Sequence, residues 1–172
     1  MKRVFWITVV AAGMFSLLSA NVLFAELLAV VGKPAPNVVG STIDTEEPFS
    51  MSRAPDKVKV VNFFNRTCVP CVQEMPEFAE MEKRHPKVLF YAVHVPWKKD
   101  GNVDAAGVKK FVGSLKAHVR TVLVGGVKLR ELYGFKQLPL TVVLDGDNVV
   151  RAVVDGMNIP MVEKAVAALE GK

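Results

Sequence analysis

Apolar residues recur in two rhythms along this chain. Val58-Lys59-Val60-Val61-Asn62-Phe63-Phe64-Asn65 is β-branched, aromatic and almost continuously apolar at its centre, which predicts a strand buried on both faces. From residue 69 the spacing lengthens. Val72, Met75, Phe78, Ala79 and Met81 form one stripe, while Gln73, Glu77, Glu80 and Lys83 fall elsewhere, so a helix is predicted over 69–85. Pro86 should stop it near His85, and Pro76 should kink it. A second buried strand is predicted over 88–95, ended by Pro96, then a polar loop over 98–102. An amphipathic helix over 103–117 should turn Val103, Val108, Phe111, Val112 and Leu115 inward. A short strand (121–124) precedes Gly125-Gly126, and a short helix (127–133) ends at Gly134. Residues 140–144 and 149–154 flank Asp145-Gly146-Asp147-Asn148, a strong hairpin signal, and a helix over 157–169 closes the chain with Pro160 in its first turn. Residues 32–57, with Gly32, Pro34, Pro36, Pro48 and Pro55, read as an extended leading segment with room for a short hairpin. Parallel crossovers followed by an antiparallel pair predict an α/β fold, an α/β/α sandwich around a mixed sheet.

The first residues change the picture of where such a domain works. Met1-Lys2-Arg3 is followed by no charge until Glu26, a basic start and an apolar run. Two readings stand. Residues 1–25 are a signal peptide cleaved after Leu23-Phe24-Ala25, or residues 4–25 are an uncleaved membrane anchor. Either exports the rest to a periplasmic or other extracytoplasmic space. The domain plan is then 1–25 for export, 26–57 as the leading segment and 58–172 as the folded domain. Losing Lys2 and Arg3 lowers the formal charge from +5 by two, a mild and scattered balance that gives no support to nucleic-acid binding.

The chain has two cysteines, Cys68 and Cys71, three positions apart where the first strand turns into the first helix. A disulfide closing so small a ring restrains little of the unfolded chain and is a poor staple, so exchange chemistry is the better reading. A CxxC beside a βαβ pattern is the signal of a thioredoxin-like redox site. Cys68 should be the nucleophile, since free N–H groups and the helix dipole favour a thiolate there. Arg66 would add positive potential if its side chain turned back. Cys71, one turn deeper, should be more buried and resolve the mixed disulfide. Glu74 follows three residues later on nearly the same face, placed to take the Cys71 proton or else to serve as an ordinary acidic residue of the first turns. An inert structural disulfide and a zinc half-site are the competing readings. The second needs two more ligands, and His85, His94 and His118 show no paired spacing. His94 reads as a satisfied residue at a strand end, with Tyr91 and Trp97 as core or rim.

With these motifs in place, the chain resembles the thioredoxin superfamily, most closely the TlpA/ResA branch of exported thiol-disulfide oxidoreductases. The resemblance runs through residues 32–170. It rests on Gly32-Lys33-Pro34-Ala35-Pro36, on Val60-Val61-Asn62-Phe63-Phe64 with Cys68-Val69-Pro70-Cys71-Val72-Gln73-Glu74-Met75-Pro76, on Tyr133-Gly134 leading to Leu138-Pro139-Leu140-Thr141, and on the hairpin at Asp145. The departures are Thr67 where the family has Trp, and Leu140 where it has Thr. Asn62 replaces the buried Asp of cytoplasmic thioredoxins, as is common in the exported branch. The resemblance implies a thioredoxin-like sandwich with Glu74 as active-site acid/base. It implies a cis-Pro139 that leaves the Leu138 backbone open to an extended partner, where the residues alone favour an ordinary trans proline. Substrate contacts would come from Val69, Pro70, Leu138 and Pro139.

The dithiol carries the electrons itself, so no cofactor and no metal are implied. Pro70 resembles reducing members of the superfamily. The expected partners are client proteins with disulfides and a membrane electron donor that recharges a monomeric reductant. In the branch the commonest client is apocytochrome c, which makes cytochrome c maturation the candidate setting. The alternative in another class is a copper-binding metallochaperone on the same fold. Such relatives space their cysteines by three residues and use a late histidine, whereas the last histidine here, His118, precedes Pro139.

Overall fold

A computed structural model describes residues 29–96, 103–115, 119–123, 128–134 and 136–171. The expectations for residues 1–25, the 98–102 loop, Trp97, His118 and Gly125-Gly126 lie outside the described residues. In chain order the elements are β1 (Val39–Thr42), β2 (Pro48–Ser50), a 3-10 turn (Met51–Arg53), β3 (Lys59–Phe64), α1 (Val69–Arg84), β4 (Leu89–His94), α2 (Ala105–Ser114), β5 (Arg120–Leu123), α3 (Lys128–Tyr133), β6 (Leu140–Leu144), β7 (Val150–Asp155) and α4 (Ile159–Glu170). No helix among the described residues is long and apolar enough to cross a membrane.

The strands form one mixed sheet of seven in the order β2-β1-β5-β4-β3-β6-β7. β3 pairs parallel with β4 and antiparallel with β6, so it is covered on both edges as well as both faces. All six of its residues are buried, which is why its sequence is so uniformly apolar. Successive residues serve opposite layers: Val61 and Phe63 pack with Tyr133 of α3 and Met51, and Val60 and Phe64 pack with Met75 and Phe78 of α1, Val108 of α2 and Val162 of α4. The leading segment belongs to the sheet, since β1 pairs antiparallel with both β2 and β5. Helix α1 runs through Pro76 and ends where His85 donates its backbone N–H to Met81 at 2.9 Å, one residue before Pro86.

The register places the chemistry. β6 runs antiparallel to β3 with Asn62 opposite Thr141 and Phe63 opposite Leu140, so the start of β6 lies beside the end of β3. The end of β3 leads into Cys68, and the start of β6 follows Pro139. The two segments singled out by sequence therefore meet at one pole of the sheet.

Candidate active site

The turn between β3 and α1 is fixed by its own side chains. Asn65 donates through Nδ2 to the carbonyl of Val95 at 2.8 Å, which ties the end of β3 to the end of β4. Its Oδ1 accepts from the Thr67 backbone N–H at 3.0 Å and the Thr67 hydroxyl at 2.8 Å. The Cys68 N–H then reaches the Asn65 carbonyl at 3.0 Å. Thr67, in the place of the family's Trp, is thus part of the turn that holds the cysteine.

Cys68 is the N-cap of α1 and is partly exposed, while Cys71 is fully buried. The two are joined as a disulfide. The backbone N–H of Cys71 points at Cys68 Sγ at 3.3 Å. Pro70 has no N–H to offer and Val72 gives its own to the Cys68 carbonyl at 3.2 Å, so the Cys71 N–H is the free helix-end donor aimed at the sulfur. When the bond opens, that donor and the helix dipole favour negative charge on Cys68. Val69 and Pro70 stand exposed beside it, and an open cleft of about 300 Å³ is lined by Thr67, Cys68, Pro70, Lys136, Gln137 and Leu138. The Leu138–Pro139 peptide bond is cis, with Leu138 half-buried and Pro139 buried.

Glu74 lies one turn beyond Cys71 and is 1% exposed. Asn62 Nδ2 donates to its Oε1 at 2.6 Å and also to Thr141 Oγ1 at 3.0 Å. Burial pushes the Glu74 carboxyl up to about 7, against the opposing pull of the Asn62 hydrogen bond. A carboxyl beside the buried cysteine that exchanges its proton near neutrality suits a general acid/base. Among the described residues no group of three His, Cys, Asp or Glu side chains is gathered to hold a metal.

Two side chains depart from the sequence reading. Arg66 turns away from the sulfur and pairs with Asp104 at 2.7 Å, across the first turn of α2 that Asp104 caps through the Gly107 N–H. A Cβ on Gly107 would lie 2.0 Å from Arg66 Nη1, so glycine is what lets the arginine lie there. His94 is buried at the end of β4, as its position suggested, but it is not satisfied: neither ring nitrogen has a partner, and the ring packs edge-on against Phe64. Burial, aided by Arg66 and resisted by Asp104, pushes its pKa down to about 4. Thr141, Lys136 and Gln137 were not singled out in advance. Thr141 became visible only once the β3–β6 register was known, and the other two only once the cleft existed.

A helix-capping half-exposed cysteine, a buried partner and a cis-proline strand beside them invite comparison with known chains. The family model described as Redoxin matches residues 30–169. The chain belongs to the redoxin family. It is a redoxin of the thioredoxin superfamily and is similar to the ResA group. It is 31% identical over 138 residues to the thiol:disulfide interchange protein HelX of Rhodobacter capsulatus, covering 80% of this chain and 74% of that one. It is 28% identical over 117 residues to the thiol-disulfide oxidoreductase ResA of Bacillus anthracis, covering 68% of this chain and 65% of that one, so it spans about two thirds of the length of that relative. Among solved structures, a putative thiol:disulfide interchange protein DsbE from Chlorobium tepidum matches with a TM-score of 0.69 and 20% identity, over 81% of this redoxin and 97% of that chain. StoA from Bacillus subtilis matches with a TM-score of 0.62 and 20% identity, over 78% and 98%. These two likenesses establish the thioredoxin-like fold.

Proposed function

We propose that this redoxin is an exported thiol-disulfide oxidoreductase that reduces disulfides in client proteins. One observation carries the reading: an accessible sulfur at a helix N-cap is bonded to a buried one that lies one turn from a buried, titratable carboxyl. In the reduced protein the Cys68 thiolate attacks one sulfur of a client disulfide. A mixed disulfide forms and the client's other sulfur leaves with the bonding electron pair. Cys71 then passes its proton to the Glu74 carboxylate, and its thiolate attacks Cys68 Sγ. The Cys68–client bond breaks, the client departs as a second thiolate, and the Cys68–Cys71 disulfide remains. The client has gained two electrons and the redoxin has lost them. A membrane electron donor restores the dithiol. Val69, Pro70, Leu138 and Pro139 receive the client, with the Leu138 backbone pairing to an extended segment.

Residues 1–25 supply export, as a cleaved signal or a retained anchor. Likeness to the TlpA/ResA branch makes apocytochrome c the first client to try. The names of the ResA and HelX relatives support the reaction class.

The test is trapping. Cys71→Ser, expressed in an exporting host, should accumulate mixed disulfides that dissolve on reduction, and Cys68→Ser should accumulate none. Trapping by Cys68→Ser alone would reverse the assignment of roles. Failure of the wild-type dithiol to exchange with a defined thiol/disulfide buffer would end the oxidoreductase reading.

A further inference from the structure

Asn62 sits at the centre of the buried polar cluster with an imbalance. Its Nδ2 makes two hydrogen bonds, to Glu74 Oε1 and to Thr141 Oγ1, while its Oδ1 is buried with no partner. An orphaned buried acceptor is costly, and such a group in a native fold asks for a reason. The position in the sheet supplies one. Asn62 lies in the middle of β3, opposite Thr141 on β6, and both side chains face the layer that carries α1 and Glu74. Its amide therefore has two neighbours that change or share protons: a carboxyl, and a hydroxyl that both donates and accepts.

We propose that Asn62, steadied by Thr141, is the positioning residue for the Glu74 carboxyl, and that its amide serves both protonation states of that group. With Glu74 ionised, Nδ2 donates to the carboxylate, as seen. With Glu74 neutral, the amide turned over offers Oδ1 to the carboxyl O–H, and the Thr141 hydroxyl rotates to donate to the same Oδ1. Each orientation leaves one amide atom unpartnered, so neither is favoured by the count of orphaned atoms. The carboxyl proton decides between them. A fixed cation in this place would hold Glu74 ionised, and a purely apolar wall would hold it neutral. An amide with a hydroxyl beside it does neither, which is what a group that must gain and lose a proton in each cycle requires. Thr141 also makes the arrangement continuous with the client-binding strand, two residues past the cis bond.

This deepens the reading of Glu74 as proton acceptor and rests on it for its catalytic meaning, but the two fail separately. The first measurement is a pH titration of the oxidised, full-length protein by infrared spectroscopy. It follows the carboxylic-acid C=O band, assigned by its disappearance in Glu74→Gln. Asn62→Leu should raise the Glu74 midpoint by about one pH unit, a roughly tenfold gain in proton affinity, because the variant loses a bond to each form and the charge-assisted bond to the ionised form is the stronger. Thr141→Val, nearly isosteric, should raise it several-fold in the same direction, and Thr141→Ser should restore the wild-type midpoint. If Thr141→Val and Thr141→Ser titrate alike, or if Asn62→Leu leaves the midpoint unmoved, the proposal is overturned. Should Asn62→Leu fail to fold, the two Thr141 variants decide the matter alone. The second measurement is the pH profile of mixed-disulfide resolution in Thr141→Val. A profile that moves with the infrared midpoint supports both readings. An infrared midpoint that moves under an unmoved rate profile keeps the positioning role and removes Glu74 from the reaction.

Discussion

β3 carries one buried polar side chain at its start and another past its middle, towards the cysteine pole, and the two are treated in opposite ways. At one end Lys59 has no accessible surface. Its ammonium donates to the Lys57 carbonyl at 2.9 Å. Burial lowers its pKa from 10.5, and the carboxylates of Asp145 and Asp56 oppose that shift. The hairpin turn is clamped onto this end. Asp145 accepts from the N–H groups of Asp147 and Val149 and from Arg151 Nε, and Gly146 accepts from the Asp56 N–H at 3.1 Å. A Cβ on Gly146 would stand 3.0 Å from Asp56 Cα, so the turn needs glycine to lie so close. Towards the other end, Asn62 and Glu74 meet no countercharge, only an amide and a hydroxyl. Burial is common to both ends. What differs is whether a fixed opposite charge is nearby. Where it is, the opposite charges hold the group in place and the site serves the fold. Where it is absent, the proton moves near neutral pH and the site is free to serve chemistry.

The sharpest way to break this contrast is Glu74→Gln. Removing a positioned acid/base should slow mixed-disulfide resolution about a hundredfold at neutral pH and flatten its pH profile. It should also stabilise the protein on the alkaline side. The folded-state pKa of about 7 is raised above the unfolded value near 4.5, so the contribution of Glu74 is fully present below pH 4.5 and lost as pH rises through 7. Between pH 4 and pH 8 the variant should gain roughly 3 kcal/mol on the wild type in denaturant unfolding of the oxidised protein. A constant difference across that range would mean that Glu74 titrates in the folded protein as it does in the unfolded chain, and the contrast with Lys59 is empty.

His94 sharpens the comparison, since it is buried near the cysteine pole with neither ring nitrogen hydrogen-bonded. Its folded pKa of about 4 is depressed below 6.5, so its contribution is present above pH 6.5 and lost as pH falls through 4. His94→Leu should therefore remove an acid-side loss of roughly 3 kcal/mol, with little effect on resolution at pH 7. In the wild type this rise offsets the fall due to Glu74 over nearly the same window, so each single variant should uncover the slope of the other. Burial without a partner drives His94 away from neutrality. The Asn62 bond, by favouring the ionised form, keeps Glu74 from drifting further up.

Most of the cysteine pole was legible because it is written locally. Cys68, Cys71 and Glu74 fall on one helix, and their spacing alone puts them on one face. The strands announced themselves because β3 and β6 are buried on both sides and cannot afford polar positions without cause. The exceptions are Lys59, Asn62 and Thr141, all buried. They could not be interpreted from sequence because each depends on a partner far along the chain: Asn62 and Thr141 are 79 positions apart. Arg66 could not be placed for the same reason. Its nearest neighbour in sequence is the active-site turn, but its carboxylate partner, Asp104, lies 38 positions on. His94 misled differently, since a strand end allows water or loop partners that its position alone does not rule out.

The smallest effect should come from the structural end, through Asp145→Ala. That change removes the acceptor of two turn N–H groups and of Arg151, and it leaves Lys59 with Asp56 as its remaining countercharge. Part of the loss is made good by water, because the turn lies near the surface, so about 2 kcal/mol is expected in denaturant unfolding at pH 7. The rate of mixed-disulfide resolution per folded molecule, and its pH profile, should match the wild type. The pairing of outcomes is the point. Glu74→Gln changes the chemistry while relieving the fold at alkaline pH, and Asp145→Ala weakens the fold while sparing the chemistry. If Asp145→Ala shifted the pH profile of resolution, the two ends of β3 would be electrostatically coupled along the strand, and the division between a pinned charge and a mobile proton would have to be abandoned.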